Sequence, residues 1–319
     1  MAESPPIEVR GLVKRYGEIT AVDDVDLTVN PGDVFGYLGP NGAGKTTSLR
    51  MMLGLIRPTA GSVRLFGRDP QISVVALQGV AGFVEAPSFY PYLSGLDNLK
   101  LCAALDGQGS ALRIDEVLEI VELRDRAKDK VKGYSHGMRQ RLGIASALLR
   151  NPRLLLLDEP APGLDPAGMR DMRVLIRDLG QRGITVLLSS HQMMEVEELC
   201  NRVAIVRSGR IAYEGSLAEL RGRAGVSYRL RTTDDARARE VCSAQPGIEV
   251  VETSETGLAF KASDESAVAA LSVALAESGA PVLELTPHQA TLEDLFFQLT
   301  EGDGVQRAAK TKQLIEEMA

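Results

Sequence analysis

Cysteine is nearly absent. Cys102, Cys200 and Cys242 are the only three in 319 residues, far apart and in no CxxC pair. That pattern argues against a disulfide framework or a cysteine-held metal centre and suits small buried thiols in a reducing compartment. No run of about 18 apolar residues occurs, so nothing reads as a membrane span. The opening MAESPPIEVR has no apolar core of signal-peptide type. The expectation is a cytosolic chain that works at a membrane only through another protein. An excess of basic residues is missing as well. The net charge of −7 and a pI near 5.2 argue against nucleic acid as the main partner. What is present, 44% hydrophobic and 25% charged residues, is the balance of a globular protein long enough for one large and one small domain.

Residues Ile7 to Val29 alternate loosely between apolar and polar, as two antiparallel strands do. NPGD (Asn30 to Asp33) is a turn with Pro and Gly at its centre. VFGYLG then reads as a short buried strand, Lys45 to Leu55 as a helix, and 62–66 and 80–84 as further strands. Between 94 and 149 the pattern turns helical. Ser94 with Asp97 three residues on is a capping signal, followed by apolar Leu99, Leu101 and Leu105. The α/β pattern resumes with strand LLLL at 154–157, helix 167–181, strand 184–190 and strands near 203–207 and 210–213. After LRGRAG the order β-α-β-β-α-β over 226–286 is that of a small ferredoxin-like α+β unit. A last helix is expected from Thr291, with Leu292, Leu295, Phe296 and Leu299 on one face and Gly302 as its stop; 302–319 reads as a loose tail.

Gly39-Pro40-Asn41-Gly42-Ala43-Gly44-Lys45-Thr46-Thr47 follows a strand and opens a helix. The spacing is G-x-x-x-x-G-K-[ST]. Its glycines let successive amide N–H groups point inward at a helix N-terminus, where the dipole also favours an anion. Lys45 can bridge β- and γ-phosphates, the Thr46 hydroxyl can ligate Mg²⁺, and Thr47 can add a phosphate contact. LLLLDEP (Leu154 to Pro160) carries Asp158 to a sheet edge, placed for a Mg²⁺-bound water. Glu159, one residue on, is placed to orient an attacking water or accept its proton. These two stretches indicate a nucleoside triphosphatase or a kinase.

With YSHGMRQRLGIA (Tyr134 to Ala145), PGLDP (Pro162 to Pro166) and SSHQMMEVEELC (Ser189 to Cys200) in order, residues 1–222 closely resemble the ATP-binding subunit of an ABC transporter. The resemblance implies a P-loop ATPase core of α/β class, with an antiparallel β subdomain and a helical insertion over about residues 86–150, followed by the 226–301 accessory domain. It implies Mg²⁺-ATP as the substrate complex and a head-to-tail homodimer, each nucleotide lying between the phosphate loop of one copy and Ser135 and Gly137 of the other. Tyr16 matches the position where the family stacks an aromatic on adenine, Asp165 the segment that ties the two copies together, and His191 the switch residue that bonds the γ-phosphate. A separate transmembrane permease is the implied partner, holding the subunit on the inner face of the membrane.

The chain departs from the family's usual pattern at three positions. Glu85 stands where a metal-sensing glutamine is common, keeping an oxygen for Mg²⁺ or water but losing the amide donor. His136 and Met138 replace the more common glycine and glutamine of the signature. Pro87, Phe89, Tyr90, Pro91 and Tyr92 form a stiff aromatic loop that suits either a docking groove for a partner helix or local packing. VEAPSFYPYLSG, YSHGMRQRLGIA and LEDLFFQLT resemble bacterial exporters of drugs, antibiotics and peptides, which sets export as the expected direction. An importer ATPase stays open on the catalytic residues alone. A DNA-maintenance ATPase is disfavoured, because only 90 positions separate Lys45 from Ser135 and no long heptad run intervenes. A translation factor is disfavoured by the single cassette, and a small-molecule kinase by the Tyr134–Ala145 element.

Overall fold

The computed structural model describes residues 4–106, 109–224, 226–254 and 257–289, together with Leu292 and Leu295. The chain forms two compact units, Met1–Leu217 and Ala218–Ala319.

The first unit contains two sheets. Strands β1 (Ile7–Tyr16) and β2 (Ile19–Val29) form an antiparallel hairpin, with Ile7 opposite Val29 and Tyr16 opposite Ile19. The NPGD turn leads into β3 (Val34–Leu38), which is followed by α1 (Lys45–Met52) and β4 (Ala60–Leu65). Strand β4 pairs with the free edge of β1, giving the order β2-β1-β4. The inward residues Ile7, Val9, Leu12, Val25 and Leu27 are fully buried, the alternation expected of a sheet covered on one face.

Helix α1 ends three residues before the sequence reading expects. Gly54 donates to Met51 O (3.0 Å) and Leu55 to Arg50 O (2.9 Å), the two bonds of a glycine-terminated helix stop. Strand β5 (Val80–Phe83) then leads into the helical insertion: α2 (Gly95–Asp106), α3 (Ile114–Ile120) and α4 (His136–Leu148). Ser94 caps α2 as expected, accepting from Asp97 N at 3.0 Å. The buried face of α2 is Gly95, Asn98, Leu99 and Ala103. Leu101 and Leu105, grouped with Leu99 on the sequence, are 44% and 91% exposed. Two residues rotate a helix by roughly 200°, so they face away.

The second sheet continues with β6 (Leu154–Asp158), α5 (Pro166–Gln181), β7 (Thr185–Ser190), α6 (Met193–Leu199), β8 (Arg202–Arg207) and β9 (Arg210–Ser216), after which α7 (Leu217–Ala224) opens the second unit. The sheet order is β5-β6-β7-β3-β8-β9, parallel except for the β8–β9 hairpin. Leu154 to Leu157 and Val186 to Leu188 are completely buried, as a parallel sheet covered on both faces requires. This order sets the C-terminal ends of β6, β7 and β3 side by side, with Asp158 paired to Ser189 and Leu38 to Ser190. A crevice at those ends is where open α/β sheets bind ligands.

After α7, the second unit comprises β10 (Val226–Thr232), α8 (Asp235–Ala244), β11 (Ile248–Ser254), β12 (Gly257–Ala262), α9 (Glu265–Glu277) and β13 (Val282–Gln289). Its sheet is antiparallel in the order β11-β12-β10-β13, the ferredoxin-like arrangement. Leu230, Cys242, Leu258, Phe260, Leu271 and Leu275 form its core. Asp234 and Asp264 cap the two helices through Arg237 N and Ala267 N. Leu292 and Leu295 are helical and buried. The rest of the expected closing helix, including Phe296, Leu299 and Gly302, and the 302–319 tail lie outside the described residues.

Candidate active site

The phosphate loop is shaped by close backbone approaches. A Cβ on Gly39 would lie 2.4 Å from Val206 O, and one on Gly44 2.3 Å from Ala21 O. Gly44 also has φ +98°, which side-chain-bearing residues disfavour. Ala43 pins the middle of the loop, donating to Pro40 O (3.2 Å) and accepting from Gly209 N (3.2 Å). Helix α1 then starts at Lys45 without a side-chain cap. Among the described residues, the N–H groups of Gly42, Gly44, Lys45, Thr46 and Thr47 find no protein acceptor. Five convergent free donors at a helix start form an anion cradle. Behind it, the buried Tyr37 hydroxyl bonds Ser48 Oγ at 3.2 Å and holds α1 against β3. Burial pushes that phenol up to about 12, so it stays neutral.

Lys45 is buried at the mouth of the cradle. Its Nζ donates to Gly39 O (2.8 Å) and Pro40 O (3.2 Å) and lies 3.3 Å from Glu159 Oε1. The ammonium is held by neutral carbonyls and one carboxylate, partners that a polyphosphate tail can replace with stronger charge-assisted bonds. Free N–H groups beside a preplaced cation fit a triphosphate.

Asp158, at the end of β6, is buried, and its Oδ1 accepts from Ser189 Oγ at 2.5 Å. Among the described residues its other oxygen and the Thr46 hydroxyl have no protein partner. Hard oxygen ligands of this kind fit Mg²⁺. Glu159 adopts φ +46°, a left-handed conformation costing about 1–2 kcal/mol. Two bonds from its N–H, to Ser189 O (3.2 Å) and Ser189 Oγ (3.0 Å), hold it there. The reversal aims its carboxylate at both Lys45 and His191, whose Nδ1 lies 3.2 Å from Glu159 Oε2. An ionised carboxylate only accepts, so the imidazole carries a proton on Nδ1. Gly39–Thr47, the Asp158–Glu159 pair and His191 thus form one cluster from three segments.

Ser135 and Gly137 lie elsewhere. No hydrogen bond or ion pair among the described residues joins them to that cluster. Ser135 caps α4 by accepting from Met138 N (3.2 Å), and His136 Nε2 sits 3.1 Å from Pro162 O. Asp165 caps α5 through Gly168 N. Together they border a hollow of about 310 Å³ that also includes Arg141 and Gly163. Tyr16 ends β1, is 48% exposed and has Lys14 Nζ 5.0 Å from its ring centre. Glu85 is largely in solvent, at φ +69°, and ion-paired with Arg50 from the last turn of α1.

Ser189, Ser190 and Arg50 were not singled out by sequence reasoning. The serine pair just before His191 was visible, but only the pairing of β6 with β7 shows that Ser189 reaches Asp158, 31 residues away.

A family model described as ABC transporter matches residues 22–162. The chain is 39% identical over 298 residues to a bacitracin transport ATP-binding protein of Bacillus licheniformis, covering 93% of this chain and 97% of that protein. It is 35% identical over 305 residues to a daunorubicin resistance ATP-binding protein of Streptomyces coeruleorubidus, covering 93% and 96%. Among solved structures it is similar to a dimeric ATP-binding cassette in a post-hydrolysis state bound to ADP and Pi, with a TM-score of 0.59 and 25% identity over 66% of this chain and 98% of that one. These likenesses join the phosphate cradle and its two carboxylates in one conclusion: the chain belongs to the ABC transporter family, as an ATP-binding subunit that hydrolyses ATP.

Proposed function

We propose that this subunit powers the export of drug-like or antibiotic molecules through a separate membrane permease, and that it does so as a homodimer closing on two Mg²⁺-ATP complexes. The observation that carries the reading is full-length similarity. Relatives named for bacitracin transport and daunorubicin resistance match over 93% of this chain, a span that includes the second compact unit. The importer and non-transport alternatives draw no support from these relatives.

The site chemistry follows from the residues. The free N–H groups of Gly42 to Thr47 and the Lys45 ammonium bind the β- and γ-phosphates. Thr46 and Asp158 would hold Mg²⁺, which would supply neutralising charge to the phosphate tail. Glu159 orients the attacking water and accepts its proton, while His191 keeps that carboxylate and the γ-phosphate in register. Tyr16 offers its exposed face to adenine. Ser135 and Gly137, apart from the cluster within one chain, meet the γ-phosphate bound by a second copy; the dimeric ADP- and Pi-bound relative supports this arrangement. Glu85, ion-paired with Arg50, would be free to turn toward the metal when that pair opens, coupling nucleotide state to the adjoining loop.

That loop is built to present aromatics. Asn98, buried, accepts from Tyr90 N (2.9 Å) and donates to Tyr90 O (3.1 Å) and Ser94 O (2.9 Å). Pro87 packs against Gly143, where a Cβ would lie 2.5 Å from its Cγ. Both expectations for this stretch therefore have support: Pro87 packs locally, while Tyr90 and Tyr92 stay exposed with ring centres 5.7 Å apart. We assign this exposed tyrosine pair to contact with a permease helix. No described helix is long and apolar enough to cross a membrane, so the reading assigns the membrane path to the partner and the subunit to the inner face.

The test is reconstitution with the co-purifying permease in vesicles. ATP-dependent movement of labelled bacitracin or daunorubicin to the side opposite the subunit supports export. Movement toward the subunit's side, or ATPase activity indifferent to permease, would overturn it.

A further inference from the structure

Glu195, on the first turn of α6, takes no part in the chemistry above, yet it is 5% exposed. Its Oε2 accepts from Ser190 Oγ at 2.5 Å, while its Oε1 is buried without a partner. No cation pairs with it among the described residues; nearby Arg173 bonds Glu198 instead, at 3.2 Å. Burial holds this carboxyl above the usual range. An apolar side chain would avoid that cost, so the position needs another explanation.

The hydrogen bonds supply one. The Ser190 hydroxyl has a single proton, and the short bond to Glu195 takes it in preference to Gln192 O at 3.4 Å. The hydroxyl lone pair is then aimed at Gln192 N, which donates to it at 3.0 Å. Ser190 O meanwhile accepts from Gly39 N at 3.1 Å, the first residue of the phosphate loop. Both chain neighbours of His191 are therefore held by one relay that ends on Glu195.

We propose that Glu195 is a positioning residue for His191, acting through Ser190 to keep the imidazole against Glu159. The inference rests on the reading of His191 as part of the hydrolytic site. Without the carboxyl, the Ser190 hydroxyl turns to Gln192 O, the Gln192 N–H loses its acceptor, and the imidazole is no longer held.

The experiment compares ATPase kinetics of the full-length chain with E195A, E195Q, S190A, H191A and the double variant E195A/H191A, alongside equilibrium ATP binding and thermal melts. E195A is expected to lower kcat by about ten- to a hundred-fold, with KM for ATP within about two-fold, because the cradle is untouched. E195Q keeps an oxygen for Ser190 and retains most of the turnover. S190A, which removes only the relay hydroxyl, reproduces the loss and carries the test if E195A fails to fold. The double variant is no slower than H191A alone. Independent, multiplicative losses in the double variant, or full turnover in folded E195A or S190A, overturn the proposal while leaving the site reading intact. Full turnover in H191A would instead bring down the site reading.

Discussion

Replacing Glu159 by glutamine tests the assignment of the hydrolytic base with almost no change of shape. The carboxylate now serves two donors, Lys45 Nζ at 3.3 Å and His191 Nδ1 at 3.2 Å. Lysine can only donate, so the new amide oxygen stays on Lys45. The amide NH₂ then faces His191, which accommodates it by leaving Nδ1 bare. The amide oxygen still accepts from Lys45, which also keeps Gly39 O and Pro40 O, so a charge-assisted bond becomes a weaker one at a cost of about 1 kcal/mol of folding stability. Removing a general base costs far more in the transition state: about 10²–10⁴ in rate, or about 3–5 kcal/mol of activation free energy. The two effects differ enough to separate cleanly. The assay is single-turnover phosphate release, paired with equilibrium binding of a fluorescent ATP analogue and a urea melt. The expected result is ATP affinity equal to or tighter than wild type, since Lys45 loses a competing charge, with a melt little changed and turnover nearly abolished. A folded Glu159→Gln protein turning over within about three-fold of wild type would refute Glu159 as the base.

Lys45→Met removes a charge-assisted donor worth about 1.5–3 kcal/mol, so ATP affinity should fall about ten- to a hundred-fold in titration calorimetry; unchanged affinity would contradict the phosphate cradle. Gly44→Ala forces a Cβ to within 2.3 Å of Ala21 O at φ +98°, and should cost more than about 2 kcal/mol in urea denaturation, whereas a neutral result would mean the loop is not confined as described. Glu195 has a folded pKa raised above that of the unfolded chain, so its contribution is complete below about pH 4.3 and is lost as pH rises through the folded value. The melting temperature of E195Q should therefore gain on wild type as pH rises above about 4.3, and parallel pH curves would contradict the burial of a charged group there. Asn98→Ala strips the two hydrogen bonds that hold Tyr90 in the aromatic loop, and a third to Ser94 O, and should abolish permease stimulation of the ATPase while basal turnover persists. Full stimulation would remove this loop from the docking surface.

The phosphate loop, the Asp158–Glu159 pair, the capped signature helix and the β-α-β-β-α-β order were all legible in the sequence. Each is encoded by neighbours a few positions apart: glycines where the backbone must curl, a serine where a helix begins, four leucines where a strand runs between covered faces. Local sterics and burial are enough to write such features into a linear pattern. Side-chain meetings across long separations were not legible. Glu159 meets His191, Ser189 meets Asp158, and Lys45 spans to Glu159 because the order β5-β6-β7-β3-β8-β9 brings three strand ends together. Glu85 pairs with Arg50 for the same kind of reason. A side chain's partners depend on which elements the fold sets next to it, and that is settled only when strands pair and helices pack. The residue types able to grip and cleave a triphosphate therefore belong to the sequence, and the geometry that lets Glu159 face Lys45 and His191 at once belongs to the packed sheet.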